Sequence, residues 1–369
     1  MLNLRIVQAN YGDCFILEYG SDADKRHMLI DGGPVNVYTD DLRSEIEYVS
    51  ANGGMLDLVV VSHVDKDHIV GILDLFADLL NQRTNGDPEL VTVGGLWHNA
   101  FSDSIDSDGT IQTRLAASLS ATGANTMQQA GMAINGVAEG RRLRIFATQL
   151  GISINDVFPN RLICTDDAPD SIVFGNLTLT IVGPTRTNLD ALKDEWLEWL
   201  DANETGVAAG DPQIMANADR SIPNLSSVMF LAEAEAEGKT ILFTGDGRSD
   251  HLMDGLHAAN LLDSNERLHV DVLKVAHHGS NRNATRTFHR KVTADTYVIS
   301  ANGHPDNPDL STLIWIVEAA REQSRQIKIV ATNRTSSLDK LEEEYPSGDY
   351  GYQLEVMPSH HSYKRLVLA

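Results

Sequence analysis

The first hundred residues alternate short apolar runs with turn residues. "LNLRIVQA", "CFILEYG" and "HMLIDGG" carry the branched, aromatic and alternating apolar positions expected of three strands. "LDLVVVS" predicts a fourth, and its unbroken apolar run predicts burial on both faces. The period then changes. In "HIVGILDLFADLLNQ", Ile69, Ile72, Leu73, Phe76 and Leu80 fall on one helical stripe. "LVTVGGLW" returns to strand. This order predicts an α/β unit with a loop at the carboxyl end of a strand, where open α/β sheets hold ligands.

Residues 101–170 change character. They are rich in Ala, Gln, Ser and Gly, and "TRLAASLSAT", "ANTMQQAGMAINGVAEG" and "RRLRIFATQLG" predict a mostly helical insertion after a polar loop. Strands resume at "SIVFGNLTLTIVGP", followed by the helix "LDALKDEWLEWLDAN". Residues 204–223 show no clear period and are expected to form a long loop or lid. A second α/β half follows: "SVMFLAEA", "KTILFTGD", "VDVLKVAHHGS" and "DTYVISANGH", the helix "STLIWIVEAAREQS", then "IKIVATN" and "GYQLEVM". The two similar halves predict one α/β sandwich over residues 1–369, with a site at its rim.

Composition narrows the classes. The chain has 369 residues, 42% hydrophobic and 22% charged, which is ordinary for a globular protein. Its formal net charge of -23 disfavours sequence-blind attraction to nucleic acid or anionic lipid. Cys14 and Cys164 have no metal-type spacing, so a reducing compartment is expected. With no apolar leader and no run long enough to span a bilayer, the expectation is a cytoplasmic protein away from membranes.

Chemistry concentrates where strands end. "SHVDKDHIVG" places His63, Asp65, Asp67 and His68 directly after a strand. Imidazole and carboxylate are the usual ligands of Zn and also suit Mn or Fe. A solvated turn with an N-cap Asp is the plain alternative, but a cap explains one Asp, not two Asp and two His. Three more strands end in polar clusters: Gly245-Asp246-Gly247, His277-His278, and His304 in "ANGHPDNP". A common Gly-Asp-Gly turn, or a loop His capping its own turn, accounts for the first and last of these equally simply.

The ordered set "NYGDCFILEYG", "MLIDGG", "VVVSHVDKDHIVG", "ILFTGD", "LKVAHHGS" and "ISANGHPDNP" resembles the metallo-β-lactamase-fold hydrolases. It is most similar to the metallo-hydrolase domain of the competence DNA-uptake channel ComEC, here expected to be free-standing. That branch also has Asp in place of the second His of the HxHxDH pattern, which here is Asp65. The resemblance covers the first hundred residues and about 171–333, not the insertion. It implies a four-layer αββα sandwich holding one or two divalent ions, Zn or Mn. It implies that His63 and Asp65 bind the first ion, Asp67 and His68 the second, and that Asp246 bridges them. His277 is the implied last ligand, because relatives place their metal His first in an HxG[S/T] pattern. His278 would then support the site or face substrate. Asp13, Asp31 and Ser280 are implied to orient ligands rather than bind metal. Relatives supply a further His to the first ion. Here only His98 lies in that interval, too early to match, and Asn224 stands where the branch carries Asn before a strand. Asn224 reads equally well as a turn residue.

A metal pair of this kind lowers the pKa of a coordinated water and neutralises developing negative charge. Asp67 and Asp246 would position that water, and His304 or His278 would protonate the leaving group. Arg282, Arg286, Arg290 and Lys291 form a basic island without an acidic residue. A solvated helix face explains it too, but arginine forks suit phosphate, and Arg282 and Arg286 are the expected substrate contacts. The leading expectation is a phosphodiesterase or nuclease acting on nucleic acid or a nucleotide. A hydrolase of a lactone, thioester or amide stays open, as does a partner-activated module with a structural metal and the insertion as its docking surface.

Overall fold

A strand that is apolar on both faces needs a cover on each side, and the architecture provides two. The computed structural model describes residues 1–52, 54–100, 106, 108–111, 113–114, 135–208 and 226–369. Among these, one sheet runs edge to edge as Tyr363–Val367, Leu2–Val7, Phe15–Ser21, Asp24–Ile30, Leu58–Val60, Gly95–Trp97 and Ser153–Ile154. Its strands are antiparallel up to Asp24–Ile30 and parallel beyond, with Ile30 opposite Val60 and Val60 opposite Trp97. The other sheet runs Tyr352–Val356, Ile327–Ala331, Val292–Ile299, Leu268–Lys274, Lys239–Phe243, Met229–Ala234, Leu177–Gly183 and Ile172–Phe174. From Lys239–Phe243 to Tyr352–Val356 its strands are parallel.

The inner faces share one core, with Leu4, Phe15, Met28 and Val60 on one side and Phe230, Phe243, Val272 and Val298 on the other. The ring centroids of Phe15 and Phe243 are 6.1 Å apart across it. The period-two alternation does the sorting. Val60 faces the other sheet, whereas Val59 and Val61 face outward beneath the helices Arg43–Ala51, Lys66–Asn85 and Asn135–Gln149. The outer face of the second sheet is covered by Ser249–Ala258, Leu310–Glu322 and Ser336–Glu344. This is the four-layer αββα sandwich.

The chain departs from its predicted pattern in three places. The described part of 101–170 holds the helix Asn135–Gln149 but also the strand Ser153–Ile154, which extends the first sheet beside Gly95–Trp97. The helix Arg186–Ala208 runs on through 204–208, where a loop was expected; no proline interrupts the chain before Pro212. Residues 209–223 lie outside the described residues. Finally, Tyr363–Val367, not "GYQLEVM", is the last strand, and it closes the first sheet against Leu2–Val7. Among the described residues no helix is long and apolar enough to cross a membrane.

One contact positions everything that follows. The "LIDGG" turn is stitched to the start of the helix Lys66–Asn85: Gly32 N donates to His68 O (2.7 Å) and Gly71 N to Gly33 O (3.1 Å). A Cβ on Gly71 would lie 1.9 Å from Gly32 O. Gly71→Ala therefore sets a helix-propensity gain of about 1 kcal/mol against a backbone clash. Overpacking costs typically about 1–3 kcal/mol and more against rigid backbone. The expected result is a net loss of stability, seen as a lower urea midpoint; an unchanged or higher midpoint would show that the turn and helix part easily.

Candidate metal centre

The parallel strands of both sheets deliver their carboxyl ends to one edge. Asp31 follows Asp24–Ile30, His63 follows Leu58–Val60, Asp246 follows Lys239–Phe243, and His277 and His278 follow Leu268–Lys274. Asp67 and His68 come from the first turn of the helix Lys66–Asn85. Asp246 is the point of convergence. Its Oδ1 lies 3.4 Å from His68 Nε2, and its Oδ2 lies 3.5 Å from His278 Nε2, 3.7 Å from His277 Nε2 and 3.9 Å from His63 Nε2. Asp67 Oδ2 is 3.2 Å from His278 Nε2, and Asp65 Oδ2 is 3.8 Å from His63 Nε2. Asp65 is the residue at the helix N-cap, yet its side chain makes no capping hydrogen bond.

The hydrogen bonds behind the rings fix which nitrogen faces inward. His278 Nδ1 meets Ser300 O at 2.9 Å, and a carbonyl can only accept. His68 Nδ1 donates to Asp31 Oδ2 at 2.8 Å. Ser62 Oγ gives its proton to Asp31 Oδ2 (2.6 Å), so toward His63 Nδ1 (3.1 Å) it accepts. Asn283 Nδ2 donates to Asp246 O (2.7 Å), which turns Asn283 Oδ1 toward His277 Nδ1 (2.7 Å). All four rings thus carry a proton on Nδ1 and turn Nε2 toward Asp246. This is the arrangement of metal-binding imidazoles held from behind by acceptors. His63 Nε2 and His68 Nε2 are buried without a hydrogen-bond partner. The donor set of four imidazoles and three carboxylates fits one or two divalent ions.

The turn that carries the paired His is unusual. His277 and His278 both lie in the left-handed region, with φ of 48° and 55°, as does Asp31 at 55°. Non-glycine residues there cost energy and cluster at functional sites.

The electrostatics follow from burying so many acids together. Burial pushes the Asp246 carboxyl up, but His278, His68, His277 and Lys274 outweigh it and hold it well below the usual range. His68 is disfavoured as a cation by burial, yet Asp246, Asp31 and Asp67 raise its pKa well above the ordinary value. The same contest, with Asp246 and Asp13, raises His278 to about 10. His63, buried beside His68, is lowered to about 3. Such a field attracts cations, whether protons or metal.

Lys274 was not foreseen from the sequence, although a lone Lys inside the apolar run "VDVLKVA" was a usable signal. Its ammonium is fully buried, ion-paired with Asp13, 2.8 Å from Gly245 O and 3.5 Å from Asp246 Oδ1. Asp13 also faces His278 Nδ1 at 3.4 Å. Asp13 and Asp31 thus lie behind His278 and His68. Asn283, Ser62 and Ser300 are further supports that sequence reasoning missed, because Ser and Asn beside a His are common in loops and only their geometry shows the hydrogen bond.

Above the ligands opens a cavity of about 850 Å³, lined among others by Tyr11, Asp65, Lys66, Asp67, Glu139, Ser280, Arg282 and His304. The rings of His304 and Tyr11 lie 5.6 Å apart. Arg286 is not brought to this cavity. Its guanidinium pairs with Glu318 (2.8 Å) and Glu322, and Arg290 also pairs with Glu322. The basic island is thus largely neutralised by the helix Leu310–Glu322, whose acids no local reading of "NRNATRTFHRK" could show. Asn224 lies outside the described residues. His98 is buried against Gly140 and Val64, with both ring nitrogens unpartnered and its pKa lowered by burial to about 3.

No protein-family model matches the chain, and no curated protein does. Among solved structures it is similar to one described as a new diphosphatase from the PhnP family, with a TM-score of 0.41 and 11% identity. That match covers 100% of this chain and 98% of the other.

The buried charges make two substitutions informative. Lys274→Met leaves Asp13 buried without its cation, so stability falls by about 3–5 kcal/mol, the usual consequence of breaking a buried pair; urea unfolding in chelator measures it. For His98, the folded pKa of about 3 lies below the unfolded value of about 6.5. The unfolded state therefore takes up the proton first, and stability falls as pH drops from 6.5 toward 3. His98→Leu is expected to flatten that part of the stability–pH curve relative to wild type; parallel curves would contradict the assignment.

Proposed function

We propose that the chain is a metal-dependent hydrolase that cuts phosphodiesters of nucleotide size. The observation that carries this reading is the stack of a convergent His/Asp centre beneath a cavity rimmed by two cations, Lys66 and Arg282, for which no side-chain partner is found among the described residues. Divalent ions bound there would lower the pKa of a coordinated water and offset the charge that builds on a phosphoryl group. Asp246, fixed from behind by Lys274, positions the ligand rings around one point. Arg282 presents a planar fork, and Lys66 a mobile ammonium, to the non-reacting phosphate oxygens.

His304 sits on the cavity wall, free to deliver a proton to the departing oxygen. His278 is poorly placed to do so, because its Nδ1 is tied to Ser300 O and its Nε2 to Asp67 and Asp246. Tyr11 has its pKa raised by burial and by Asp67, so its hydroxyl stays a donor.

The size of the substrate follows from the walls. A cavity of about 850 Å³ is within the range of small-molecule sites. Glu139, Asp306 and Asp309 share its rim, and the net charge is -23. Extended duplex would meet repulsion beyond the few cations at the centre.

A panel of cyclic nucleotides, dinucleotides, single-stranded DNA and RNA with Mn or Zn tests this. Turnover is expected on the short diesters and is abolished by chelator. Arg282→Ala is expected to raise KM about tenfold or more, the effect of losing one charged hydrogen bond. Metal-dependent turnover of a lactone, thioester or amide that survives Arg282→Ala, with no phosphodiester cut, would replace this reading with the non-phosphate one.

A further inference from the structure

The family pattern puts one His of the HHGS pair on the second ion and leaves the first ion short of a ligand. The geometry points to a different division, and we infer that the pair is split between the two ions. His278 completes the site of Asp67, His68 and Asp246; His277 completes the site of His63, Asp65 and the shared Asp246. This rests on the metal-dependent reading above and assigns the ligands within it.

Distances carry the first half. Ligand atoms of Asp67, His68, Asp246 and His278 all lie within 4.8 Å of one another, and His277 is not in that group. Bonds of about 2.0–2.1 Å at tetrahedral angles place ligand atoms about 3.3–3.4 Å apart. His278 Nε2 meets that spacing, at 3.2 Å from Asp67 Oδ2 and 3.5 Å from Asp246 Oδ2. It therefore occupies the position that the pattern reserves for its neighbour.

The second half comes from what His277 faces. Its Nε2 is 3.7 Å from Asp246 Oδ2, the oxygen that is 3.9 Å from His63 Nε2, and His63 Nε2 is in turn 3.8 Å from Asp65 Oδ2. These three gaps are a few tenths of an ångström wider than one ion requires, and the four residues do not all close within 4.8 Å of one another as the other set does, so an ion held here would draw them inward.

The supporting hydrogen bonds orient the ring as a ligand would need. Asn283 is buried, and its amide is oriented by donation to Asp246 O, so its oxygen faces His277 Nδ1. That leaves a lone pair on Nε2, aimed at the centre. A metal-bound ring needs this tautomer, with Nε2 free of a proton. Two adjacent residues can serve two ions because both lie in the left-handed region, which sets their rings 75° apart with centroids 5.9 Å apart.

Cobalt stoichiometry tests the assignment. Full-length protein is saturated with Co2+, freed of excess by gel filtration, and its metal content and visible absorption are measured. Wild type is expected to hold two equivalents and His277→Ala one. The pairings then discriminate. His63→Ala with His277→Ala is expected to keep one ion, because both act on the same site. His68→Ala with His277→Ala is expected to keep none. The reverse pattern, or two equivalents in His277→Ala, would overturn the assignment. Asn283→Leu, which keeps all ligands, is expected to weaken the His277 site about 10–100-fold and the other, which shares only Asp246 with it, clearly less; equal weakening of both also counts against it. Wild type that binds no cobalt, zinc or manganese overturns the metal-dependent reading together with this one. Two cobalt ions bound with no phosphodiester cut would remove only the substrate assignment.

Discussion

The structure depends on holding several carboxylates together away from water. Asp13, Asp31, Asp67 and Asp246 meet at the edge of the two sheets, with Lys274 as the buried ammonium among them. Isolated burial of such charges is prohibitive, so each must be paired, hydrogen-bonded or bound to a cation. The arrangement meets this in layers. Lys274 answers Asp13 from below, Ser62 and His68 answer Asp31, and the four imidazoles surround Asp246. The remaining negative charge faces the cavity, where cations can reach it.

That constraint explains features that are otherwise odd. Consecutive left-handed histidines are tolerated because Asn283 and Ser300 hold each ring in place. Gly32 and Gly71 are required because the turn and helix approach within backbone contact, which places Asp31 behind His68. Gly12 is similar: a Cβ there would lie 2.0 Å from Asp67 O, and Asp13 N donates to that same oxygen. Packing at the outer layer thus sets the position of ligands at the rim.

Much of the candidate centre was legible in the chain. Strand ends loaded with His and Asp have few structural uses, and short-range spacing alone brought His63, Asp65, Asp67 and His68 together. The long-range partners were harder. Lys274 looks like any strand residue until Asp13, some 260 positions earlier, is placed against it. Arg286 looked like a substrate contact until Glu318 and Glu322 came alongside. The helices Arg43–Ala51 and Ser249–Ala258 passed unnoticed because short amphipathic segments give a weak period, and their burial is decided by the sheets beneath them.

The sequence by itself determined an alternation of strands and helices that makes an α/β sandwich, and the residue types at its rim. Both are local properties: the two- and 3.6-residue periods select strands and helices, and ligand chemistry is carried by single side chains. Only the tertiary structure decided which charges neutralise one another and which of the two adjacent histidines faces Asp67. Those outcomes depend on distances of a few ångströms between segments well separated in the chain. Coulomb energy and hydrogen-bond direction are set by those distances, and one-dimensional spacing does not contain them.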